Sequence, residues 1–413
     1  MEQPIKKLIF IYYALYGGCK AMVIIPSEKA SNVTYAIRNI VAEAKKIEKQ
    51  GKQILYCNIG DPCKFDFKTP KHIIDAVTDA MIRGENGYAP SQGIEEARIA
   101  ISEHMASYNK VNVKSDKVFI TSGGSEAIEL ALTALLNPGE NVLTPAPGYP
   151  LYNAVITKIG GVLNPYYLDD DWNLDIADIK QKINEKTKAI ILINPNNPTG
   201  KMYSAELLKE VITLAKNHNL VIFSDEIYDK LLFEKEHISI ASLCEDVPIL
   251  TINGMSKSYM VPGWRVGWIA VSNIEENCPY FLTMKRLLDA RLCSPAPQQF
   301  AIKPALTGPQ DHLKEACQKL RERRDFVCER LNNIKGISCV KPDAAFYAMA
   351  KLESDRFKTD EEFVLQLLKE TGVLFVHGSG FEVKPGSKSF RIVYLPTMET
   401  LKDAMDKLES FMN

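Results

Sequence analysis

The sequence predicts an α/β fold, in which a mostly parallel sheet lies between layers of helices and is followed by a smaller α+β unit. Short apolar runs that end in Gly, Pro, Asn or Asp recur up to about residue 300. Continuous apolar character of this kind is typical of strands that are buried on both faces. Segments with helical periodicity separate the runs, and this alternation favours a parallel sheet with helices on both sides.

Two of the intervening segments illustrate why helices are predicted. Ser125–Leu136 carries apolar side chains on one face, and Ser204–Asn217 begins with a serine cap that precedes an apolar stripe. The strands predicted in this first unit are Lys117–Ile120, Asn141–Thr144, Ala189–Ile193, Leu220–Ser224, Pro248–Ile252 and Val266–Val271.

The last third of the chain has a different pattern, and we place a domain boundary near residue 300. A long charged helix is predicted at Lys314–Leu331. Short strands and two further helices complete an α+β unit. The predicted strands lie near Ser338–Val340, Ala345–Ala350, Val373–Phe375 and Phe390–Tyr394, and the helices at Glu361–Thr371 and Met398–Met412.

The composition excludes several classes of protein. Of the 413 residues, 46% are hydrophobic and 24% are charged, which excludes disordered and fibrous proteins. The 50 basic and 51 acidic residues leave a net charge of −1, so the chain lacks the electrostatic footprint of a general nucleic-acid binder. A chain of this length favours two or three lobes over a single core.

The nine cysteines follow no recognisable pattern of a metal site or a disulfide framework. The sequence contains neither a C-x-x-C pair nor two histidines at i and i+4, so we predict no zinc site. Unpatterned thiols are typical of a reducing compartment, and we therefore predict a cytoplasmic protein with inert, buried cysteines.

Residues 1–26 are predicted to be an extension outside the fold. Leu8–Leu15 is apolar, follows two lysines and precedes Gly17-Gly18-Cys19, a pattern with a faint resemblance to a signal or lipoprotein peptide. The apolar run is short, however, and Tyr16 stands where a lipid-attachment site usually has Leu. We therefore favour a dispensable extension or an upstream start, and we predict no membrane span of ~18 apolar residues elsewhere.

The residues that follow each predicted strand are the candidates for a ligand site, because ligands bind at the carboxyl ends of strands in doubly wound sheets. Gly123, Gly124 and Ser125 follow the first strand and begin a helix. Glycines admit a close ligand, and free N–H groups at a helix start attract phosphate, although a tight turn is the alternative interpretation. The P-loop and dinucleotide glycine patterns are absent.

Polar segments also follow the two middle strands. Asn194–Gly200 is either a proline-rich turn or a source of amide hydrogen bonds. Asp225, with Tyr228 three residues later, ends a buried strand. A carboxylate at such a place needs a cation or good hydrogen bonds, unless it merely caps a helix.

Lys257 follows the strand Pro248–Ile252 and is flanked by small residues. A desolvated lysine has a lowered pKa and becomes a nucleophilic amine, although an isolated lysine is usually a solvated charge. Arg265, eight residues later, suits anion binding. Each segment alone is ambiguous, but their order and spacing together predict a site for pyridoxal 5′-phosphate (PLP), bound to Lys257 as a Schiff base.

The motifs SDEIY, NPNNPTG, SKSYMVPGWRVGW and SFRIVYLP together resemble the class I/II PLP-dependent aminotransferases of fold type I, over about residues 27–413. The opening segment NVTYAIRNIVAEAKKIEKQGKQILYCNIGDP is similar to alanine aminotransferases of the bacterial and archaeal type, and next to aspartate aminotransferases. The resemblance implies a seven-stranded sheet, an arm at 27–62, a large PLP-binding domain at 63–300 and a small domain at 301–413.

The resemblance also implies a role for each matching residue. Lys257 matches the lysine that binds the cofactor and moves the substrate proton. Asp225 matches the carboxylate that keeps the pyridinium nitrogen protonated, so that the ring can accept electrons. Tyr228 and Asn197 match the donors to the phenolate oxygen of the ring, and Tyr149 matches the aromatic side chain that stacks on it.

Further matches concern the phosphate, the substrate and a second subunit. Tyr88 matches the tyrosine that reaches the phosphate of the neighbouring subunit, which implies a homodimer. Arg391 matches the arginine that grips the substrate α-carboxylate through two parallel hydrogen bonds. Tyr35 and Gly60 match residues that close over the substrate. The residues that match the phosphate group are Gly123, Gly124, Ser125, Ser256 and Arg265.

Two positions match the pattern of the aminotransferases less well. Many aspartate aminotransferases have Ser three residues before the lysine, where this chain has Gly254. Arg291, six residues before Pro297, has a spacing similar to that of the arginine that reads a distal carboxylate in one subgroup. Arg291 is therefore either a reader of the glutamate or aspartate side chain or a surface arginine.

The lead hypothesis is an aminotransferase that pairs alanine/pyruvate with glutamate/2-oxoglutarate by a ping-pong mechanism. An aspartate aminotransferase is the alternative, and a PLP-dependent C–S lyase on the same scaffold is a further one, because the site residues overlap. A PLP-binding regulator is disfavoured, because residues 1–26 are too short for a helix-turn-helix domain. The expected partners are small amino and 2-oxo acids and a second copy of the chain, without nucleic acid or membrane.

Overall fold

The computed structural model describes residues 24, 26–33 and 36–413 of the chain. The strands, β1 to β13 in chain order, are Leu55–Tyr56, Val118–Thr121, Asn141–Ala146, Val162–Tyr167, Thr187–Ile193, Val221–Asp225, Ile249–Gly254, Gly267–Ser272, Ile337–Cys339, Tyr347–Leu352, Val373–Leu374, Val376–His377 and Ser389–Val393. The helices, α1 to α14, are Glu28–Ser31, Ala36–Glu48, Lys71–Ile82, Glu95–His104, Gly124–Leu135, Pro150–Ile159, Ile176–Lys182, Ala205–Asn217, Pro279–Ala290, Ala296–Gln299, Ile302–Thr307, Asp311–Asn333, Asp360–Thr371 and Met398–Met412.

The central sheet has seven strands in the order β2-β8-β7-β6-β5-β3-β4. Neighbouring strands from β7 to β4 run parallel, whereas β8 is antiparallel to both β2 and β7. The predicted α/β class with a mostly parallel seven-stranded sheet is thereby confirmed. The carboxyl ends of β5, β6 and β7 consequently meet at one edge of the sheet, which is where the site described below is found.

Both faces of the sheet are buried, as the continuous apolar runs predict. Along β5, Ile190 and Leu192 pack into one core cluster, and Ile191 and Ile193 pack into the cluster on the opposite face. The following helix α8 begins where predicted, because Ser204 Oγ accepts a hydrogen bond of 3.4 Å from the Leu207 backbone N–H.

The edge strand β4 is an element that the sequence pattern did not predict. Five of its six residues are at least partly exposed, whereas Tyr166 is buried, and Pro165 lies within the strand. A proline removes a backbone donor and is tolerated at a sheet edge, where one side of the strand needs no partner. The continuous apolar run that marks the inner strands is therefore missing from β4.

The C-terminal unit contains a four-stranded antiparallel sheet in the order β12-β13-β10-β9. The strand predicted at Val373–Phe375 is in fact two short strands, because β11 pairs with β1 and β12 pairs with β13. The strand predicted from Ala345 begins only at Tyr347, since Ala345 has φ +64°, which is incompatible with extended backbone. The helix at Met398–Met412 has the predicted bounds.

Residues from both ends of the described chain share one core. Ile40, Leu55 and Phe67 pack in the same cluster as side chains of α12, α13 and α14. The parallel pairing of β1 with β11 ties the N-terminal arm to the C-terminal unit. The domain limits at residues 62, 63 and 300 stay predictions.

The extension predicted at residues 1–26 and the candidate signal segment fall largely outside the described residues, as does Tyr35. Within the described part of the chain, no helix has both the length and the apolar character that crossing a membrane requires.

Candidate active site

A pocket of about 820 Å³ opens at the carboxyl edge of the central sheet and extends to the arm and the C-terminal unit. Most of the side chains that the sequence singles out line it. The predicted residues in its lining are Gly60, Gly124, Ser125, Tyr149, Asn197, Asp225, Tyr228, Ser256, Lys257, Arg265 and Arg391.

Asp225 is the last residue of β6, and its carboxylate is buried. Oδ2 accepts a hydrogen bond of 3.0 Å from the Tyr152 hydroxyl, and Oδ1 accepts one of 3.3 Å from the Ile227 N–H. Burial raises the Asp225 pKa to about 6, although these hydrogen bonds oppose the shift. No lysine, arginine or histidine within the described residues forms an ion pair with it, so this carboxylate is suited to a cationic group of a ligand.

Lys257 lies just beyond the end of β7. Its Nζ donates a hydrogen bond of 2.8 Å to the Gly60 carbonyl and lies 5.7 Å from the centre of the Phe346 ring. Burial lowers the Lys257 pKa to about 8, and the positive charges of Arg391 and Arg265 act in the same direction. A substantial fraction of this amine is therefore neutral near pH 8, as a nucleophile or a base requires.

The segment from Gly123 to Ser125 forms an anion cradle with Arg265. Gly123 has φ +78°, and a side chain there would collide with the Arg265 guanidinium, so glycine is needed for both conformation and space. Arg265 Nη2 donates hydrogen bonds to Ser122 O (3.2 Å) and Ser125 Oγ (3.4 Å). Helix α5 begins at Gly124, so its free N–H groups and the guanidinium face the same end of the pocket.

Arg391 lies in the middle of β13, and its side chain is 2% exposed. Nη1 donates to Asn197 Oδ1 (3.0 Å), and Nη2 donates to the Asn58 carbonyl (2.9 Å). The guanidinium also lies over the Tyr347 ring, 4.6 Å from its centre. These contacts hold the planar group in one orientation at the wall of the pocket, where it can receive a carboxylate.

Tyr228 and Tyr347 join the large sheet to the C-terminal unit inside the pocket. Their hydroxyl oxygens are 2.9 Å apart, and burial raises the Tyr228 pKa well above its usual range. A side chain at Gly60 would collide with the Tyr347 hydroxyl, so that position accepts only glycine without rearrangement. On the opposite side, Tyr149 packs edge-on against Tyr152, with ring centres 6.5 Å apart.

Sequence reasoning missed Tyr152, Tyr347 and Asn58, all of which contact predicted site residues. Tyr152 carried a usable signal, because it follows Tyr149 by three residues at the start of α6. No local sequence signal indicated that Tyr347 contacts Tyr228 or that Asn58 contacts Arg391, because each pair is far apart along the chain.

Three predicted residues of the described chain, Gly123, Tyr88 and Arg291, lie outside the pocket lining, although Gly123 directly precedes Gly124 in the anion cradle. Tyr88 is 85% exposed. Arg291 Nε pairs with Glu126 at 2.9 Å, and its Nη2 donates to the Ile120 carbonyl at 2.8 Å, so its guanidinium contacts the start of α5. Glycine at position 254 has a physical reason: a Cβ there would lie 2.7 Å from the Val266 carbonyl oxygen, which leaves no room for the serine that many aspartate aminotransferases have at this position.

Asp225→Asn is expected to stabilise the cofactor-free protein by about 2–3 kcal/mol near pH 7, because the buried charge is removed. The Asp225 pKa is 3.8 when unperturbed and about 6 in the fold. Ionisation of Asp225 therefore lowers the free energy of unfolding progressively as the pH rises from about 4 to about 6, and it has no effect below about pH 4. Urea unfolding between pH 4 and 7.5 measures the difference.

The exposed Asp289→Asn is the matched control for this titration and should change stability little at any pH. If the free energies of unfolding of Asp225→Asn and the wild type differ by the same amount at every pH between about 4 and about 6, burial does not govern the Asp225 charge.

Together, these groups offer complementary partners for PLP. The cradle of Gly124, Ser125 and Arg265 suits a phosphate, the buried Asp225 suits a protonated ring nitrogen, and the desolvated Lys257 suits an aldehyde. The residues present therefore fit this cofactor.

Comparison with known proteins agrees with this chemistry. Residues 52–408 match the family described as aminotransferase class I and II. The chain is 41% identical to the glutamate-pyruvate aminotransferase AlaA of Haemophilus influenzae, over 94% of this chain and 98% of that protein. It is 40% identical to the alanine aminotransferase of Mycobacterium bovis, over 94% and 92% of the two chains.

Solved structures give the same result. The alanine aminotransferase from Pyrococcus furiosus superposes with a TM-score of 0.92 at 44% identity, over 94% of this chain and 99% of that one. The aspartate aminotransferase of Thermus thermophilus, in complex with maleate, superposes with a TM-score of 0.85 at 28% identity, over 94% and 100% of the two chains.

Proposed function

The chain belongs to the aminotransferase class I and II family of PLP-dependent enzymes, and on that premise we propose that it exchanges an amino group between alanine and 2-oxoglutarate, giving pyruvate and glutamate. The observation that carries this proposal is the convergence of Lys257, Asp225 and Arg391 on one pocket. Relatives at about 40% identity that bear the names glutamate-pyruvate and alanine aminotransferase support the choice of substrates.

The cofactor, when bound, supplies an electron sink that makes the substrate Cα–H acidic and carries the amino group between the two half-reactions. Lys257 Nζ, as a neutral amine, accepts that proton and returns it. Its lowered pKa of about 8 suits both directions, because a base works best when its pKa is near the working pH. The Gly60 carbonyl, 2.8 Å from Nζ, orients the amine.

The remaining roles concern orientation. Asp225, held by the Tyr152 hydroxyl, would pair with the ring nitrogen. Tyr149 would stack on the ring, and Asn197 and Tyr228 would donate to its oxygen. The residues that would hold the phosphate are Gly123, Gly124, Ser125, Ser256 and Arg265. Arg391 receives the α-carboxylate, so that the substrate Cα faces Lys257. The family resemblance assigns Gly60, and also Tyr35, which lies outside the described residues, to closure over the substrate.

A donor and acceptor panel tests the substrate assignment. The purified holoenzyme should convert alanine and 2-oxoglutarate to pyruvate and glutamate in equal amounts, and it should prefer this pair to aspartate and oxaloacetate. A preference for aspartate would support the alternative, for which a 32% identical aspartate aminotransferase of a Bacillus species is a precedent. Pyruvate and ammonia from a sulfur amino acid, without a new amino acid, would instead indicate a lyase.

We also propose that the enzyme is a homodimer in which Tyr88 reaches the phosphate of the neighbouring active site. Tyr88 is 85% exposed, so its side chain is available to a second copy of the chain. Sedimentation velocity should give a particle of twice the chain mass, and a monomer with full activity would contradict the proposal.

For Arg291 we propose a structural role, because its guanidinium is already paired with Glu126 and Ile120. Arg291→Ala is expected to lower the free energy of unfolding by about 1–3 kcal/mol, since Glu126 loses its cation. The KM values for glutamate and alanine should change by the same factor. A rise confined to glutamate would show that Arg291 reads a distal carboxylate.

Finally, we propose that the enzyme works in the cytoplasm. The eight cysteines within the described residues are all unbridged, and free thiols persist in a reducing compartment. Cell fractionation with an antibody against the chain tests this, and recovery in the membrane or external fraction would contradict it.

A further inference from the structure

Asn58 is a buried polar residue in the pocket lining for which neither the fold nor the roles described above give a reason. It is 0% exposed, yet neither its Nδ2 nor its Oδ1 has a hydrogen-bond partner within the described chain. A buried amide without partners destabilises a fold, and most such groups are paired. An unpaired amide at the wall of a ligand pocket is therefore suited to a ligand that supplies the missing partners.

The backbone places Asn58 between the two groups that act on the substrate. Its carbonyl accepts a hydrogen bond of 2.9 Å from Arg391 Nη2, and two residues later the Gly60 carbonyl accepts one of 2.8 Å from Lys257 Nζ. A substrate whose carboxylate is bound by Arg391 and whose Cα faces Lys257 would therefore lie in the part of the pocket that residues 58–60 line.

The position of this segment is also fixed on the side of the C-terminal unit. The Cys57 N–H donates to the Leu374 carbonyl at 3.2 Å, and the Cys57 carbonyl accepts from the Val393 N–H at 2.8 Å. The residue before Asn58 is thus bonded on both sides. A side chain on such a rigid backbone is preorganised for a ligand and loses little freedom when the ligand binds.

We propose that Asn58 is a substrate-binding residue, whose side-chain amide donates to the α-carboxylate beside Arg391 and accepts from the ammonium group of an amino acid. The amide offers one donor group and one acceptor, and an α-amino acid supplies the complementary pair. This inference rests on the proposed aminotransferase function, since it assumes that Arg391 binds the α-carboxylate.

The test compares Asn58→Ala and Asn58→Asp with the wild-type holoenzyme, using propionate as an unreactive carboxylate probe. Its dissociation constant follows from the change in cofactor absorbance, and PLP affinity is measured separately by titration of the cofactor-free protein. Asn58→Ala should bind propionate about 10–100-fold more weakly, the range for a hydrogen bond to a charged group. Asn58→Asp should bind at least as weakly, because its carboxylate repels the ligand.

Thermal stability separates ligand binding from a structural role. Because the Asn58 amide makes no hydrogen bond to lose, Asn58→Ala should unfold at a temperature no lower than that of the wild type. The matched control is Asn141→Ala, at the far end of the sheet. There Oδ1 accepts from Asn164 Nδ2 (3.0 Å) and Thr187 Oγ1 (2.9 Å), so this variant should lose stability but keep wild-type propionate affinity.

Wild-type propionate affinity in both Asn58 variants would overturn the proposal, as would a loss of stability in Asn58→Ala equal to that of Asn141→Ala. Failure of the substrate panel is a separate result. If the wild-type holoenzyme binds propionate but transfers no amino group, the proposed function is wrong, whereas the comparison of Asn58 variants still decides the role of Asn58.

Discussion

Lys257→Ala should lower the rate of amino transfer by at least ~10⁴-fold, because one amine provides both the attachment of the cofactor and the transfer of the Cα proton. Its Nζ is the buried amine of the pocket with a pKa lowered to about 8, and it is held 2.8 Å from the Gly60 carbonyl. The measurements are the single-turnover rate with alanine and the visible absorption band that a lysine-bound cofactor gives. Both should be lost together in the variant.

Lys257→Arg separates the charge of this residue from its chemistry. A guanidinium keeps the positive charge but stays protonated, so it neither attacks an aldehyde nor accepts a proton, and this variant should be as inactive as Lys257→Ala. The matched control is Lys230→Met, which removes another largely buried lysine, one that lies over the Tyr108 ring outside the pocket lining. Amino transfer at the wild-type rate by Lys257→Ala would show that another group forms the bond.

Most of the side chains that the sequence singles out line one pocket, and this grouping has a topological cause. In a parallel sheet, adjacent strands end at the same edge, so Asp225 at the end of β6 and Lys257 just beyond the end of β7 are brought close together. Gly123 and Gly124 could be interpreted for a similar reason. Strand β2 leads almost directly into α5, so the position of the residues at this junction is nearly fixed. Local patterns thus sufficed wherever one strand end determined the place of a functional group.

Two of the residues that sequence reasoning missed, Asn58 and Tyr347, contact the site through long-range contacts. Asn58 and Arg391 are 333 positions apart, and Tyr228 and Tyr347 are 119 apart. No periodicity or capping signal reports such a contact, because it depends on how the arm and the C-terminal unit pack against the sheet. The same limit applies to Arg291, because its spacing in the sequence does not report its pairing with Glu126.

Sequence reasoning misplaced strand boundaries where backbone conformation, rather than hydrophobicity, determines where a strand ends. The apolar run at Val373–Phe375 continues through Val376, yet β11 and β12 belong to different sheets. Every side chain from Val373 to Val376 is buried, so burial alone gives no sign of the change of partner. Because of this change of partner, the short segment that contains β11 and β12 pairs both with β1 of the arm and with β13, the strand that contains Arg391.

Arg391→Ala should lower kcat/KM for every amino donor by about 10²–10³-fold, mainly through a higher KM. Truncating one member of a buried, hydrogen-bonded charge pair costs about 2–5 kcal/mol, and each 1.4 kcal/mol is a factor of about ten. Because all substrates share the α-carboxylate, alanine, glutamate and aspartate should be affected alike. Arg391→Lys should recover only part of the loss, since a lysine cannot make two parallel hydrogen bonds to a carboxylate.

The pattern across substrates decides what Arg391 binds. An effect confined to glutamate and aspartate would place the distal carboxylate on Arg391 and would contradict its assigned role. If Arg391 and Asn58 bind the same carboxylate, the losses in Arg391→Ala and Asn58→Ala should be less than additive in the double variant, because the second substitution removes a contact to a group that is already displaced. Independent, additive losses would mean that the two side chains contact different parts of the substrate.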